Sequence, residues 1–409
     1  MRIRHRPRGI VRQAAGLLTP GAMAAGRLAL ERDAGARLSR LTDEVRDAVR
    51  ERRHPTREKM RSLRLTPGAR LHWRDVPAPP PPGPLGAVVR PIAMATCDLD
   101  RALALGAMPF PMPLHLGHEC VAEVVEVGER VADVRPGDRV VVPFQINCGA
   151  CFACLHRHTG NCLAVPPFSS YGFGVTTGHR GGTYADLVAV PFADAMLVPL
   201  PHGVDPVAAA SVADTISDAY RHVGPHLPGL LRRDPAAEVL VIAALDRSMI
   251  YSPSVPLYAG MIALALGART VHLVDARAHV RSHAERLGMN PLRPKELRRL
   301  PPASLVVSVT MPKGLWPSLR ATAPDGICSS AGGLEHALRI PAVQLFARNA
   351  TLHVGRTHAR AVIPSVLELM ADGRLRPERV ITVHGTLDEA PRLLREHYLD
   401  GGTKTVLTV

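Results

Sequence analysis

Four cysteines stand within fifteen residues in the stretch CGACFACLHRHTGNC: Cys148, Cys151, Cys154 and Cys162. Their C-x2-C-x2-C-x7-C spacing lets consecutive thiolates turn back on one centre. Four thiolates in a tetrahedron make a closed structural zinc site. Ferredoxin-type iron–sulfur motifs also begin C-x2-C-x2-C, but continue with a three-residue gap and Cys-Pro. Here the last gap is seven residues and no proline follows Cys162. In a long chain without a secretory signal, clustered cysteines point to metal before disulfides. A site of this kind ties down a loop and does no chemistry, because the protein fills every coordination position.

A second set of residues lies upstream. TCDLD carries Cys97 and Asp100, and GHE carries His118 and Glu119. A lone histidine beside a glycine is usually structural, and a lone cysteine is usually buried and inert. Together, and ahead of the cysteine lobe, they make a specific combination. A third stretch, VLVIAALDRSMIYSPSVPLYAGMIALALGARTVHLVDAR at residues 239–277, reads as strand, helix and strand, closed by Asp275. That is the rhythm of a dinucleotide-binding unit, whose first turn ordinarily carries G-x-G-x-x-G. Here that turn holds no glycine.

The elements that must position these residues fall into two textures. From Arg61, strand-like pieces (RSLRLT, ARLHWRDV) lead into the proline-rich connection PAPPPPGPLG. The strand AVVRPIAMAT, the alternating strand CVAEVVEVG and RPGDRVVVP follow. Around Arg221–Asp234 the pattern changes to alternating strands and helices, which argues for a parallel sheet with covering helices. After about Thr351 come a helix, a short strand, a helix and a last strand, KTVLTV. Residues 1–59 read as a basic extension, in which Leu38, Leu41, Val45 and Val49 recur at helical spacing.

The bulk composition bounds the function. A chain of 409 residues with 46% hydrophobic and 21% charged residues is ordinary for a soluble globular protein of two or three domains. No apolar run is long enough to span a bilayer, and the basic N-terminus is not followed by a secretory core, so a cytoplasmic location is expected. The net charge is +14, but +8 of it sits in residues 1–59. Nearly all the basic residues are arginine, which suggests a biased genome. No aromatic or groove-reading motif supports a nucleic-acid partner.

With these motifs in place, Met60 to Val409 resembles the zinc-dependent medium-chain alcohol dehydrogenases. The Cys-x-x-Asp element, the GHE element, the VGERVADVRPGDRVVV stretch, the four-cysteine lobe and the C-terminal return carry the resemblance. It implies an α/β fold: a GroES-like β-rich catalytic domain interrupted by a Rossmann-type doubly wound parallel-sheet domain. The implied division is residues 60–225 (catalytic), 226–350 (cofactor) and 351–409 (return to the catalytic domain). It also implies two zinc ions, one catalytic and one structural. Cys97 and His118 would be catalytic ligands, with Asp214 of SVADTISDAY as the third. Glu119 would lie beside the metal, and Asp100 would hold the His118 ring. The nicotinamide cofactor would be NAD ahead of NADP, because Asp275 matches the acid that binds ribose hydroxyls, while Arg277 nearby leaves NADP open. Ser252 or Ser254 would cap the cofactor-domain helix, and Ser254 would lie at the phosphate position. A homo-oligomer is implied as well.

This chain departs from the family pattern at three points. Leu99 stands where a proton-relaying Ser or Thr is usual, leaving the relay to Asp98, a histidine or water. Asp218 stands where the third-ligand segment has Thr. Pro256 stands at the helix-entry glycine. The expected activity is hydride transfer between an alcohol and an aldehyde or ketone. The alternative is a dehydrogenase-like zinc protein without turnover, acting as a small-molecule binding or assembly protein.

Overall fold

The computed structural model describes residues 58–409, apart from 109, 111, 179, 311 and 332–339. The helix expected around Leu38–Val49 lies outside the described residues.

Three sheets organise the described residues. A three-stranded antiparallel sheet joins Arg70–Pro77, Lys59–Thr66 and Leu114–His115. A seven-stranded sheet runs in the order Val383–Thr386, Thr405–Thr408, Ala87–Ala95, Glu119–Val127, Arg139–Val142 and Val198–Pro199, with Val188–Val190 paired to Ala87–Ala95. Its C-terminal pair is parallel and its other pairings are antiparallel. The last strand enters beside residues 93–95, so the C-terminus returns to the sheet that the first half of the chain built.

The third sheet is wholly parallel, in the order Asn290–Leu292, Val271–Asp275, Val239–Ala244, Ala303–Ser308, Thr322–Ser330 and Thr351–Val354. Numbered along the chain, this is 3-2-1-4-5-6, the doubly wound order. Its switch point lies between Val239–Ala244 and Ala303–Ser308, where the carboxyl ends of the strands open a crevice for a ligand. The strand Val239–Ala244 is buried at every residue, as a central parallel strand with both faces covered should be. The sixth strand, Thr351–Val354, lies just beyond the boundary expected at residue 350. Its four residues are mostly exposed and too few to show a period.

One apolar core spans the contact between the two larger sheets. Ala93, Val121 and Val141 of the antiparallel sheet share it with Val239, Val241 and Leu305 of the parallel one and with Ile262 of the helix that covers it. The helix Ser254–Ala265 is buried from Ser254 to Ala263, and a Cβ on Gly260 would lie 2.3 Å from Met289 Sδ. Glycine there lets this helix sit close to the segment entering Asn290–Leu292.

Candidate active site

Each candidate metal ligand sits at the end of an element, where the backbone aims its side chain out of the regular ladder. Cys97 is the N-cap of the helix Asp98–Ala104, and Asp100 Oδ2 accepts its backbone N–H at 3.0 Å. His118 immediately precedes the strand Glu119–Val127 and follows Gly117, whose φ is +98°. A Cβ on Gly117 would fall 2.7 Å from Thr183 Oγ1 and 2.8 Å from the Tyr184 backbone nitrogen. Only glycine fits that turn, and the turn aims His118 inward. Asp214 joins the short turn Ala210–Ala213 to the helix Thr215–Val223.

Residues far apart in sequence therefore meet. One ligand atom from each of Cys97, His118, Glu119 and Asp214 lies within 4.8 Å of the others, and all four residues are buried. Asp214 Oδ2 is 3.3 Å from Cys97 Sγ and 3.3 Å from His118 Nε2. Neither ring nitrogen of His118 has a hydrogen-bond partner of good geometry among the described residues. Burial pushes the Cys97 thiol well up, and the carboxylates of Asp214 and Glu119 push it further. Burial opposes charge on His118, yet Asp214, Asp100 and Glu119 together raise it above the ordinary histidine value. Soft, borderline and hard donors that converge on one point suit zinc. A dication between them would offset the crowded negative charge.

Glu119 is held back from this set. Its Oε1 accepts the backbone N–H of Thr215 at 2.9 Å and the Thr215 hydroxyl. Its Oε2 accepts from Lys404 Nζ at 2.9 Å. Lys404 and Glu119 are both fully buried, and Nζ also donates to Thr96 O and to Thr215 Oγ1. Burial raises Glu119 to about 7 against the opposing pull of Lys404. Cys97, His118 and Asp214 are then the three donors without another commitment, which leaves a fourth position facing the cavity.

Asp100 does not donate or accept at the His118 ring as expected. It uses Oδ2 to close the turn at Cys97, and its Oδ1 has no partner among the described residues. The ring is steadied instead by Phe173, whose centroid lies 4.6 Å away, and by Phe144 at 5.9 Å.

The second set also comes together. The ligand atoms of Cys148, Cys151, Cys154 and Cys162 lie within 4.8 Å of one another. Backbone N–H groups point at the sulfurs: Cys148 N to Cys162 Sγ at 3.4 Å, and Leu163 N to Cys151 Sγ at 3.3 Å. Those bonds favour thiolates, the form a metal requires.

A cavity of about 400 Å³ leads from the first set along the crevice of the parallel sheet. Cys97, Asp214, Leu99, Phe144 and Phe173 line its inner end, while Ala243, Val255, Pro256, Met249 and Arg277 line the rest. Leu99 faces this cavity and carries no hydroxyl. Asp218 faces it too, with its charge met by Arg221 Nε at 2.5 Å. Asp275 is fully buried. Arg277 Nε and Nη2 donate to its two oxygens at 3.0 and 2.8 Å, and Nη1 reaches Tyr251 O at 3.0 Å.

The helix Ser254–Ala265 is not capped by Ser252 or Ser254. Pro253 is its N-cap residue, and Ser254 is its first residue, whose hydroxyl donates to Asp98. The capping oxygen comes from Asp98, on another element. Its Oδ1 accepts Ser254 N–H at 3.1 Å and the Ser254 hydroxyl, and its Oδ2 accepts Val255 N–H at 2.8 Å. Burial pushes Asp98 up to about 6, opposed by Lys404 and by these bonds.

Lys404 and Thr215 carry much of the site's organisation, and neither stands out by motif. The available signal was a single lysine in KTVLTV, a strand otherwise free of charge.

Comparison with known proteins agrees with this geometry. Residues 83–202 match the family model described as the alcohol dehydrogenase GroES-like domain. A probable zinc-binding alcohol dehydrogenase of Mycobacterium tuberculosis is 28% identical over 343 residues, covering 81% of this chain and 84% of that protein. A zinc-type alcohol dehydrogenase of Aspergillus flavus is 27% identical, covering 77% and 73%. The solved structure of an alcohol dehydrogenase from Thermus sp. ATN1 superposes with a TM-score of 0.75 at 30% identity, covering 86% of this chain and all of that one. With its fold, its two clustered donor sets and these relatives in agreement, the chain belongs to the zinc-dependent medium-chain alcohol dehydrogenase family.

Proposed function

We propose that the protein interconverts an alcohol and its aldehyde or ketone, with zinc at Cys97, His118 and Asp214 and a nicotinamide dinucleotide as hydride partner. The observation that carries this reading is the buried convergence of those three donors at the inner end of the cavity. Zinc held there supplies Lewis acidity toward the substrate oxygen. The nicotinamide supplies or accepts the hydride.

The remaining work falls to the chain itself. Leu99, Phe144 and Phe173 give the inner end apolar walls, which suit an apolar substrate and exclude water from the reacting carbon. Lys404 and Thr215 hold Glu119 away from the open position. Asp218 and Arg221 form a neutral pair on the cavity wall. Asp98 is committed to the helix N-terminus, Leu99 has no exchangeable proton and no histidine is among the described residues lining the cavity, which leaves water as the relay candidate.

A preference for NAD would need Asp275 free for ribose hydroxyls, and Arg277 holds both its oxygens. NAD and NADP therefore both belong in the assay. Strand membership in the sheets supports a catalytic unit drawn from residues 60–225 and the C-terminal return, with a cofactor unit between them. A homo-oligomer through the edge strand Thr351–Val354 is favoured by the exposed apolar residues Val343, Phe346 and Val354 on and beside it. No helix among the described residues is long and apolar enough to cross a membrane. A cytoplasmic location fits seven cysteines that form no disulfide.

The test is a panel of primary and secondary alcohols, and the matching carbonyls, with each dinucleotide and protein of measured zinc content, read by nicotinamide absorbance. Turnover that disappears in Asp214→Asn, with the second zinc retained, is expected. A fully zinc-loaded protein that converts no member of the panel with either dinucleotide would refute the proposal.

A further inference from the structure

In this fold, the N-terminus of the first helix of the parallel-sheet unit is where a dinucleotide places its phosphates, against free backbone N–H groups. Here those groups are already taken. The carboxylate of Asp98 receives Ser254 N–H, Val255 N–H and the Ser254 hydroxyl, and all three residues are buried. The contact joins residue 98, beside metal ligand Cys97, to the opposite wall of the crevice.

The segment that replaces the glycine-rich turn reinforces this arrangement. Ser252 N–H donates to Asp98 O at 3.3 Å, and Arg101 Nη1 donates to Ile250 O at 3.0 Å. Ser252 Oγ lies 3.1 Å from His397 Nε2. With the two Ser254 bonds to Asp98, five contacts thus fasten residues 250–254 to the catalytic side. A second, independent observation is the cavity: Asp98, Ser252, Val255 and Pro256 line the same cleft as Cys97 and Asp214. A ligand lying along that cleft passes directly over the filled helix end.

We propose that Asp98 is an internal competitor for phosphate at the N-terminus of the helix Ser254–Ala265, and that it sets the affinity of this chain for its dinucleotide. The inference rests on the reading that a dinucleotide is the hydride partner. A phosphate has two routes to the helix end. It displaces Asp98, stripping a buried carboxylate of three donors, or it binds beside Asp98 against like charge. Both weaken binding. Removing the carboxylate frees the N–H groups and removes the repulsion, so affinity rises.

The experiment is calorimetric titration of the zinc-loaded full chain with ADP, adenosine, NAD and NADP, for the wild type, Asp98→Ser, Asp98→Asn and Ser254→Ala. Asp98→Ser and Asp98→Asn should tighten ADP and the favoured dinucleotide by at least about tenfold, leaving adenosine unchanged. Ser254→Ala removes one of the three bonds on Asp98 and should shift ADP the same way by less. A disturbed fold weakens binding, so a gain in affinity separates competition from a structural role. Unchanged or weaker ADP binding in the Asp98 variants overturns the proposal. If neither Asp98 variant folds with its zinc, unchanged or weaker ADP binding in Ser254→Ala does so instead. ADP binding is read without turnover. A chain that fails the alcohol panel yet gains ADP affinity sinks the proposed function alone, and one that turns over without that gain sinks this inference alone.

Discussion

The buried ion pair behind the metal donors yields a quantitative test. Lys404 and Glu119 have no exposed side-chain surface, and their charged atoms are 2.9 Å apart. At an effective dielectric of about 20, the gross attraction at that distance is on the order of 6 kcal/mol. Desolvation of both groups offsets much of it, so the pair as a whole contributes little net stability. Losing one partner is a different matter. Lys404→Met strips Glu119 of its cation and leaves Thr96 O without its donor. Breaking a buried pair in this way costs about 3–5 kcal/mol. Glu119 already lies near neutrality at about 7, so it takes up a proton once Lys404 is gone, and the loss should settle near the lower end, about 3 kcal/mol. Denaturant unfolding at neutral pH measures it. The double variant Glu119→Gln/Lys404→Met keeps an acceptor for Thr215 N–H and removes both charges, so it should recover most of the stability. A loss below about 1 kcal/mol in Lys404→Met, or a double variant weaker than the single, would refute the argument that this pair is held by mutual need.

How much of this was legible in the sequence depends on range. The cysteine lobe was readable because its four ligands are consecutive turns of one loop, and spacing alone brings them together. The strand–helix alternation of 239–330 was readable for the same reason, but right-handed crossovers alone do not choose the order 3-2-1-4-5-6 over other doubly wound orders. The site at Cys97 was different. Its donors lie 21 and 96 residues apart, and no local pattern brings Asp214 to His118; the family resemblance supplied that link. Lys404 stood out only as a lone lysine ahead of the last strand, with no sign of which charged group it would meet. Asp100 was assigned to the His118 ring by analogy, but the helix start at Cys97 claims its oxygen locally. The missing glycines were visible, yet their consequence was not. That Asp98 would cross the crevice to fill the helix end is a tertiary fact, and it overrode the local expectation of a serine cap.

Three further outcomes follow from particular contacts. Zinc analysis should give about two ions per chain, falling to about one in Cys154→Ser, with loosening confined to the lobe and read by limited proteolysis. Gly117→Ala forces a positive φ on alanine and drives its Cβ against the Tyr184 ring and backbone nitrogen and the Thr183 hydroxyl. It should cost about 2–3 kcal/mol in an unfolding titration and release the zinc at Cys97 while the lobe keeps its own. The last concerns acid. His397 is buried between Ser252 Oγ and Thr405 Oγ1, and burial, with Lys404 and Arg101 adding, holds it down at about 3. In the unfolded chain it titrates near 6.5. Between those values the unfolded state binds the extra proton, so this residue's contribution to stability is complete above about pH 6.5 and declines as pH falls toward 3. From pH 6 to pH 5 the decline from this one residue is roughly 1 kcal/mol. His222 and His358 are likewise held low by burial and add their own declines, so the informative quantity is the difference between proteins. His397→Gln should be less stable than the wild type at pH 7 and lose less between pH 6 and 5. Parallel stability–pH curves for the two would mean that His397 takes up its proton in the native state as readily as in the unfolded chain, against the burial that places it between two hydroxyls.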